Sequence, residues 1–114
     1  MRIVNLTRNT IIAEKAEIAN TFLKRLVGLL GRKKFKAGEA LIFKNVSCVH
    51  TFGMRFAIDV LFVNRKGMVV AALPNLKPFR ISGIYPFCNV IELPVGTIQK
   101  TKTQKGDLLG DVSL

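Results

Sequence analysis

The clearest pattern in the chain is an apolar run from Phe56 to Val63, which is followed by the polar stretch 64–67. Its length fits a β-strand, and apolar residues at both alternating sets of positions indicate a central strand covered on both faces. The polar stretch predicts a chain reversal, and Met68 to Leu73 predict the returning strand. Asp59 lies in the middle of the run, and a carboxylate among apolar neighbours needs a compensating partner.

The same alternation predicts further short strands along the chain. They cover Arg2–Leu6, Thr10–Ala13 extended through Ala19, Ala40–Phe43, Phe87–Leu93 and Asp107–Val112.

Two helical segments and one long loop complete the expected elements. Apolar residues at helical spacing predict an amphipathic helix that begins at Asn20 or Thr21 and ends at Gly31. Thr97–Thr101 predicts a single helical turn. The segment Pro74–Pro86 holds three of the four prolines and predicts a loop, because proline cannot donate to a β-ladder.

These elements predict a single α+β domain over residues 1–114. It has about seven strands in a mainly antiparallel curved sheet or partial β-barrel, with one main helix packed on it. The strands should be antiparallel because most connections are too short for parallel crossovers.

Several segments resemble the signature blocks of an uncharacterised prokaryotic family, catalogued as domain of unknown function number 192. The segments are VHTFGMRFAIDVLFVNRKGMVV, VIELPVGT, KGD and the helix block TFLKRLVGLLGR, so the resemblance runs from about Ile11 to Asp107. One departure is Ala57, where the family commonly has proline. The resemblance implies a compact β-rich domain with one packed helix, and it implies no activity. The residues that fall on the family's motifs are Met54, Asp59, Phe62, Gly67, Glu92, Gly96, Gly106 and Asp107.

The chain carries 18 basic and seven acidic residues, a formal charge of +11. Such a charge favours anionic partners, such as RNA, DNA or an acidic membrane surface, although it can also serve only solubility. The candidate phosphate contacts are Arg32, Lys33, Lys34 and Lys36, with Phe35 among them. No RRM, KH, phosphate-loop or nucleophile-elbow pattern is present.

The N-terminus lacks the apolar segment of a signal peptide, and no apolar stretch approaches the roughly 20 residues that span a bilayer. We therefore expect a cytoplasmic protein whose two cysteines are free thiols. The sequence predicts no cofactor, and it leaves the oligomeric state open.

Asp59 has two interpretations. It is a buried cap that binds backbone N–H groups of the preceding loop or pairs with Arg55 or Arg80, or it is a general base or ligand group at a pocket wall. The cap is the favoured interpretation, because buried charges are usually compensated within the chain.

Cys48, His50 and Asp59 could instead form an enzyme or metal site, because thiolate, imidazole and carboxylate are the usual nucleophiles, bases and metal ligands. Their spacing matches no zinc motif, so we predict no metal site and favour a protein without catalytic activity. The leading hypothesis is an accessory or binding domain for a ligand or protein partner. Its binding rim comprises the 50–55 loop and the Pro74–Pro86 loop, with candidate residues His50, Met54, Arg55, Asp59 and Arg80. The first alternative is a polyanion binder.

Overall fold

A computed structural model describes residues 1–19 and 35–110 as a mainly β structure of two open sheets. The predicted helix over 20–31 lies outside the described residues. Within them there are eight strands and one short helix, α1, with the predicted bounds Thr97–Thr101. The strands are β1 (Ile3–Asn5), β2 (Thr10–Ala13), β3 (Lys15–Ile18), β4 (Glu39–Phe43), β5 (Ile58–Asn64), β6 (Val69–Leu76), β7 (Cys88–Pro94) and β8 (Leu109–Gly110).

The strands form a three-stranded sheet in the order β2-β1-β8 and a five-stranded sheet in the order β3-β4-β7-β5-β6. Every pair is antiparallel except β3–β4, which confirms the mainly antiparallel prediction. The prediction of a single sheet is wrong, since the structure has two sheets, and these sheets are not closed into a barrel. The curvature of the sheet stays a prediction.

The sheets separate at Glu14, where the predicted extension of the second strand through Ala19 is also wrong. The backbone bends there, and the N–H groups of Glu14 and Lys15 both donate to the Gly38 carbonyl, at 2.9 and 2.8 Å. The chain therefore leaves the three-stranded sheet after β2 and enters the five-stranded sheet as β3. Alternation cannot detect this change, because both strands have the same period.

Strand β5 lies between β7 and β6 and is buried on both faces, as its apolar run predicts. Leu61 and Val63 belong to a core shared with the three-stranded sheet and α1. Val60 and Phe62 belong to a second core on the opposite face. The five-stranded sheet is thus the middle layer, and we call these sides the hairpin face and the loop face.

Strand β6 continues through Pro74 to Leu76, which corrects the prediction that a loop begins at Pro74. Because β6 is an edge strand, proline's missing N–H costs no ladder hydrogen bond there. The segment 77–87 then crosses the loop face, because β6 ends beside Ile58 and β7 starts beside Asn64, at opposite ends of β5.

Candidate functional site

Asp59 is fully buried and lies on the hairpin face of β5. Its Oδ1 accepts a hydrogen bond from the N–H of Asn75 at 2.9 Å. Its Oδ2 accepts from the N–H groups of Gly96, at 3.1 Å, and Ile98, at 2.8 Å, at the start of α1. Three donors compensate the buried charge, so Asp59 is a cap, as the favoured interpretation predicts.

The predicted partners of that cap are wrong. The donors belong to the end of β6 and the start of α1, whereas the loop before β5 supplies none of them. Among the described residues the ion pairs are Arg2 with Glu14 and Arg8 with Asp107, so neither Arg55 nor Arg80 pairs with Asp59. The carboxylate therefore fixes α1 and the end of β6 and does not bind the 50–55 loop directly.

Two long segments, 46–55 and 77–87, are paired with each other across the loop face; we call them the loop pair. The N–H groups of Ser82 and Tyr85 donate to the carbonyls of Val49 and Ser47, at 2.9 and 2.7 Å. His50 forms an antiparallel bridge with Ile81. The pairing satisfies backbone groups that a loop crossing a sheet would otherwise leave unpaired.

Thr51 holds the centre of the loop pair and is fully buried. Its N–H donates to the Arg80 carbonyl at 2.9 Å, and its carbonyl accepts from the N–H of Phe79 at 3.2 Å. Its hydroxyl donates to the Lys77 carbonyl and accepts from the N–H of Arg80 at 2.9 Å. Thr51 was not among the predicted site residues, because a threonine between His50 and Phe52 carries no local signal of these distant partners.

The outward side of the loop pair is apolar. The rings of His50 and Phe52 stack with centroids 5.5 Å apart, and Phe52 packs against Phe79 at 6.3 Å. Phe79 is 64% exposed and Ile81 62%. Phe79 also has a φ of 63°, an unusual backbone conformation for a bulky residue. Exposed apolar side chains that cluster in this way commonly mark interaction sites.

The predicted rim residues divide between the surface and the core. His50, Arg55 and Arg80 are exposed on the loop pair. Met54 is 7% exposed and packs in the core of the loop face, so it supports the surface from beneath. Asp59 lies on the opposite face of β5 and reaches the loop pair only through the backbone of Asn75, two residues before Lys77.

Cys48, His50 and Asp59 lie in different environments. Cys48 and His50 are exposed, whereas Asp59 is fully buried and both of its oxygens accept backbone hydrogen bonds. Within residues 1–19 and 35–110, no three His, Cys, Asp or Glu side chains are placed to hold a metal ion. Cys48, His50 and Asp59 are therefore not brought together into one site.

Glu92 is a second buried carboxyl group, on the strand next to Asp59. It is 7% exposed, and burial raises its pKa from 4.5 to about 7. It lies opposite Val60 and Leu41 in the sheet. The sequence offered the same signal as for Asp59, a carboxylate between apolar neighbours, but the site prediction did not include Glu92.

Asp107 is the centre of a polar network beneath the three-stranded sheet. Its Oδ2 accepts from Asn5 Nδ2 at 2.9 Å, Arg8 Nε at 3.1 Å and the N–H of Gln104 at 3.0 Å. Burial alone would raise the pKa of Asp107, but these hydrogen bonds and the charge of Arg8 outweigh it, so the pKa is lowered. The network joins the end of β1 and the turn that follows it to the segment 104–107.

The exposed charges are unevenly distributed. Between residues 40 and 106 the only acids are Asp59 and Glu92, and both are buried. Glu14, Glu17 and Glu39 line a cleft of about 370 Å³ beside β3 and β4. The loop pair and the chain between its two segments therefore carry exposed cations and no exposed acids. Of the predicted phosphate contacts, Arg32, Lys33 and Lys34 lie outside the described residues, and Lys36 is exposed.

No helix among the described residues is long and apolar enough to cross a membrane.

Comparison with known proteins agrees with the family resemblance. The family model described as "Uncharacterized ACR" matches residues 3–110. A UPF0127 protein of Pyrococcus furiosus is 34% identical over 113 residues, which cover 93% of this chain and 94% of that protein. A UPF0127 protein of Pyrococcus abyssi is 34% identical over 112 residues, 92% of each chain. A crystal structure of a protein of unknown function from Novosphingobium aromaticivorans superimposes with a TM-score of 0.80 at 19% identity, covering 97% of this chain and 84% of that one, and it shows a shared fold.

Proposed function

Because the chain belongs to the uncharacterised prokaryotic family catalogued as domain of unknown function number 192, for which no activity is assigned, we propose a function from the site itself. The protein is a binding module without catalytic activity, and the exposed side of the loop pair is its binding surface. The main support for this proposal is that Thr51 fixes two loops to each other while Phe52, Phe79 and Ile81 remain exposed. A pre-organised surface loses little conformational entropy when it binds.

His50, Arg55 and Arg80 would contact the ligand or partner, because their side chains are exposed on the loop pair. Met54 would support that surface from the core, and Asp59 would anchor the start of the second segment through Asn75. The single-domain organisation and the cytoplasmic location expected from the sequence are part of the same proposal.

A thermal-shift screen against metabolites and peptides tests this function. The wild type is compared with Arg80→Ala, which changes the proposed surface, and with Arg65→Ala, which changes an exposed arginine in the β5–β6 turn. We expect a ligand that stabilises the wild type and Arg65→Ala equally and stabilises Arg80→Ala less. Identical responses of all three proteins to every ligand that binds would remove the proposal.

Binding of a polyanion is the second candidate function, favoured by the charge of +11. Arg32, Lys33, Lys34 and Lys36 would contact phosphates. Fluorescence anisotropy with RNA and DNA oligomers over a salt series tests it, because release of counterions makes such affinity fall steeply with salt. Absence of binding at low salt would end this alternative.

A further inference from the structure

The apolar side chains of the loop pair protrude from the surface. Beyond Phe79 and Ile81, Ile84 is 76% exposed and Phe87 81%. A groove that receives a partner's side chains would shelter its own apolar residues. Side chains with this much exposure are suited to entering the acyl-chain region of a lipid layer or a pocket on another molecule.

Cations accompany these apolar residues. Arg55, Lys77 and Arg80 are exposed on the same two segments. The only carboxylates between residues 40 and 106 are buried, and the cleft beside β3 and β4 is lined by two exposed glutamates and the half-buried Glu39. A surface that combines protruding apolar groups with cations is complementary to a partner that is apolar within and anionic at its boundary.

We propose that the exposed side of the loop pair docks on an anionic lipid bilayer; this inference rests on the proposed function of the loop pair as the binding surface. Phe79, Ile81 and Ile84 enter the boundary between headgroups and acyl chains, where apolar side chains lose water contact. Arg55 and Arg80 contact lipid phosphates. Thr51 binds the carbonyl of Lys77 and the N–H of Arg80, so these backbone groups next to Phe79 stay paired while its side chain enters the apolar layer.

Two other occupants fit the surface less well. A second copy of the chain would bring the cations of both loop pairs together, and like charges in contact repel. Single-stranded nucleic acid needs open aromatic faces. Here the ring of Phe52 already packs against those of both His50 and Phe79, and Ile81 and Ile84 have no ring.

Co-sedimentation of the full chain with vesicles tests the proposal, using phosphatidylcholine alone and phosphatidylcholine mixed with phosphatidylglycerol. The test variant combines Phe79→Asn, which suits the positive φ of that position, with Ile81→Thr, which keeps the branched side chain. The control is Ile11→Thr, at an exposed position on the three-stranded sheet. Circular dichroism confirms that each variant is folded.

We expect the wild type and Ile11→Thr to bind the mixed vesicles and not the neutral ones, and to release them as salt rises. The double variant should bind about tenfold or more weakly, because it lacks two inserting groups. Equal binding of vesicles by the double variant and the wild type, or no binding by the wild type at low salt, would overturn the bilayer proposal. So would a wild type that binds single-stranded RNA more tightly than vesicles, if the double variant loses that RNA binding. The two proposals can fail separately. If the wild type does not sediment with vesicles but binds a ligand from the thermal-shift screen that the double variant does not bind, the binding surface is retained and only the bilayer proposal is removed.

Discussion

The two faces of the five-stranded sheet are closed in different ways. On the hairpin face, Asp59 binds three backbone N–H groups, and the neighbouring Asp107 network joins both ends of the described chain. On the loop face, two segments pair with each other through Thr51 and leave Phe79 and Ile81 exposed. We therefore assign stability to the first face, and the second is the face that we propose for binding.

A buried carboxylate can therefore be conspicuous in sequence without marking a binding site. Both oxygens of Asp59 accept hydrogen bonds from the chain's own backbone, and the residue has no exposed surface. The loop pair is the reverse case: backbone hydrogen bonds join its two segments, while Phe79 and Ile81 are exposed. Stability, its dependence on pH and local opening of the chain distinguish these two roles.

Replacement of Asp59 should give the largest loss of stability. In Asp59→Asn, one carboxylate oxygen becomes an NH2 group that cannot accept a hydrogen bond, so at least one buried N–H among Asn75, Gly96 and Ile98 loses its acceptor. We expect a loss of roughly 3 kcal/mol in urea unfolding, with little change in binding by the loop pair. A loss below about 0.5 kcal/mol would show that the cap contributes little.

Glu92 should make stability fall as pH rises. Burial raises its folded pKa from 4.5 to about 7, so between these values the folded state holds a proton that the unfolded state has lost. The stabilisation is complete below pH 4.5, declines between pH 4.5 and about 7, and is absent at higher pH. The total loss of stability over this window is up to about 3 kcal/mol. Unfolding of the wild type and Glu92→Gln at matched pH isolates the effect, and parallel profiles would contradict it.

Asp107 should act in the opposite pH direction. Because its folded pKa is lowered, its contribution is present above its unfolded pKa and is lost as pH falls through the folded value. The free energy of unfolding of the wild type should therefore fall in acid. The free energy of unfolding of Asp107→Asn should fall by less over the same pH range, although this variant is less stable at neutral pH. Acid titration monitored by circular dichroism checks the difference between the two proteins.

Thr51→Val should have a smaller effect on stability, confined to the loop pair. The change keeps the shape of the side chain but removes the hydroxyl that binds Lys77 and Arg80, at a cost of about 1 to 3 kcal/mol. Amide hydrogen exchange should accelerate at Phe79 and Arg80 and remain slow at Ile98. The control Thr51→Ser keeps the hydroxyl and should behave nearly as the wild type; faster exchange throughout the protein would contradict a local role.

Cys48→Ser should have the smallest effect. The thiol is exposed, and its contacts with Val49 and Ser82 are 3.8 Å long, so we expect a change within about 0.5 kcal/mol. Elemental analysis of the purified wild type gives an independent check of the metal alternative. Stoichiometric zinc that the Cys48→Ser variant loses would revive a site at Cys48 and His50.

The strands were predictable because alternation is a local signal. The central run was correctly assigned to a strand covered on both faces, and Thr97–Thr101 was placed with its observed bounds. The partners of Asp59 were not predictable, because Asn75 and Ile98 lie 16 and 39 residues away and donate only backbone N–H groups. Thr51 was missed for the same reason: its partners are main-chain atoms in the second loop, 26 and 29 residues away.

The most direct test of the account is amide hydrogen exchange on the wild type with and without the compound or peptide that gives the largest thermal shift. The account predicts that binding slows exchange within residues 46–55 and 77–87 and leaves Gly96, Ile98 and the amides around Asp107 unchanged. Protection that appears at the start of α1 or in the three-stranded sheet, with none in the loop pair, would contradict it.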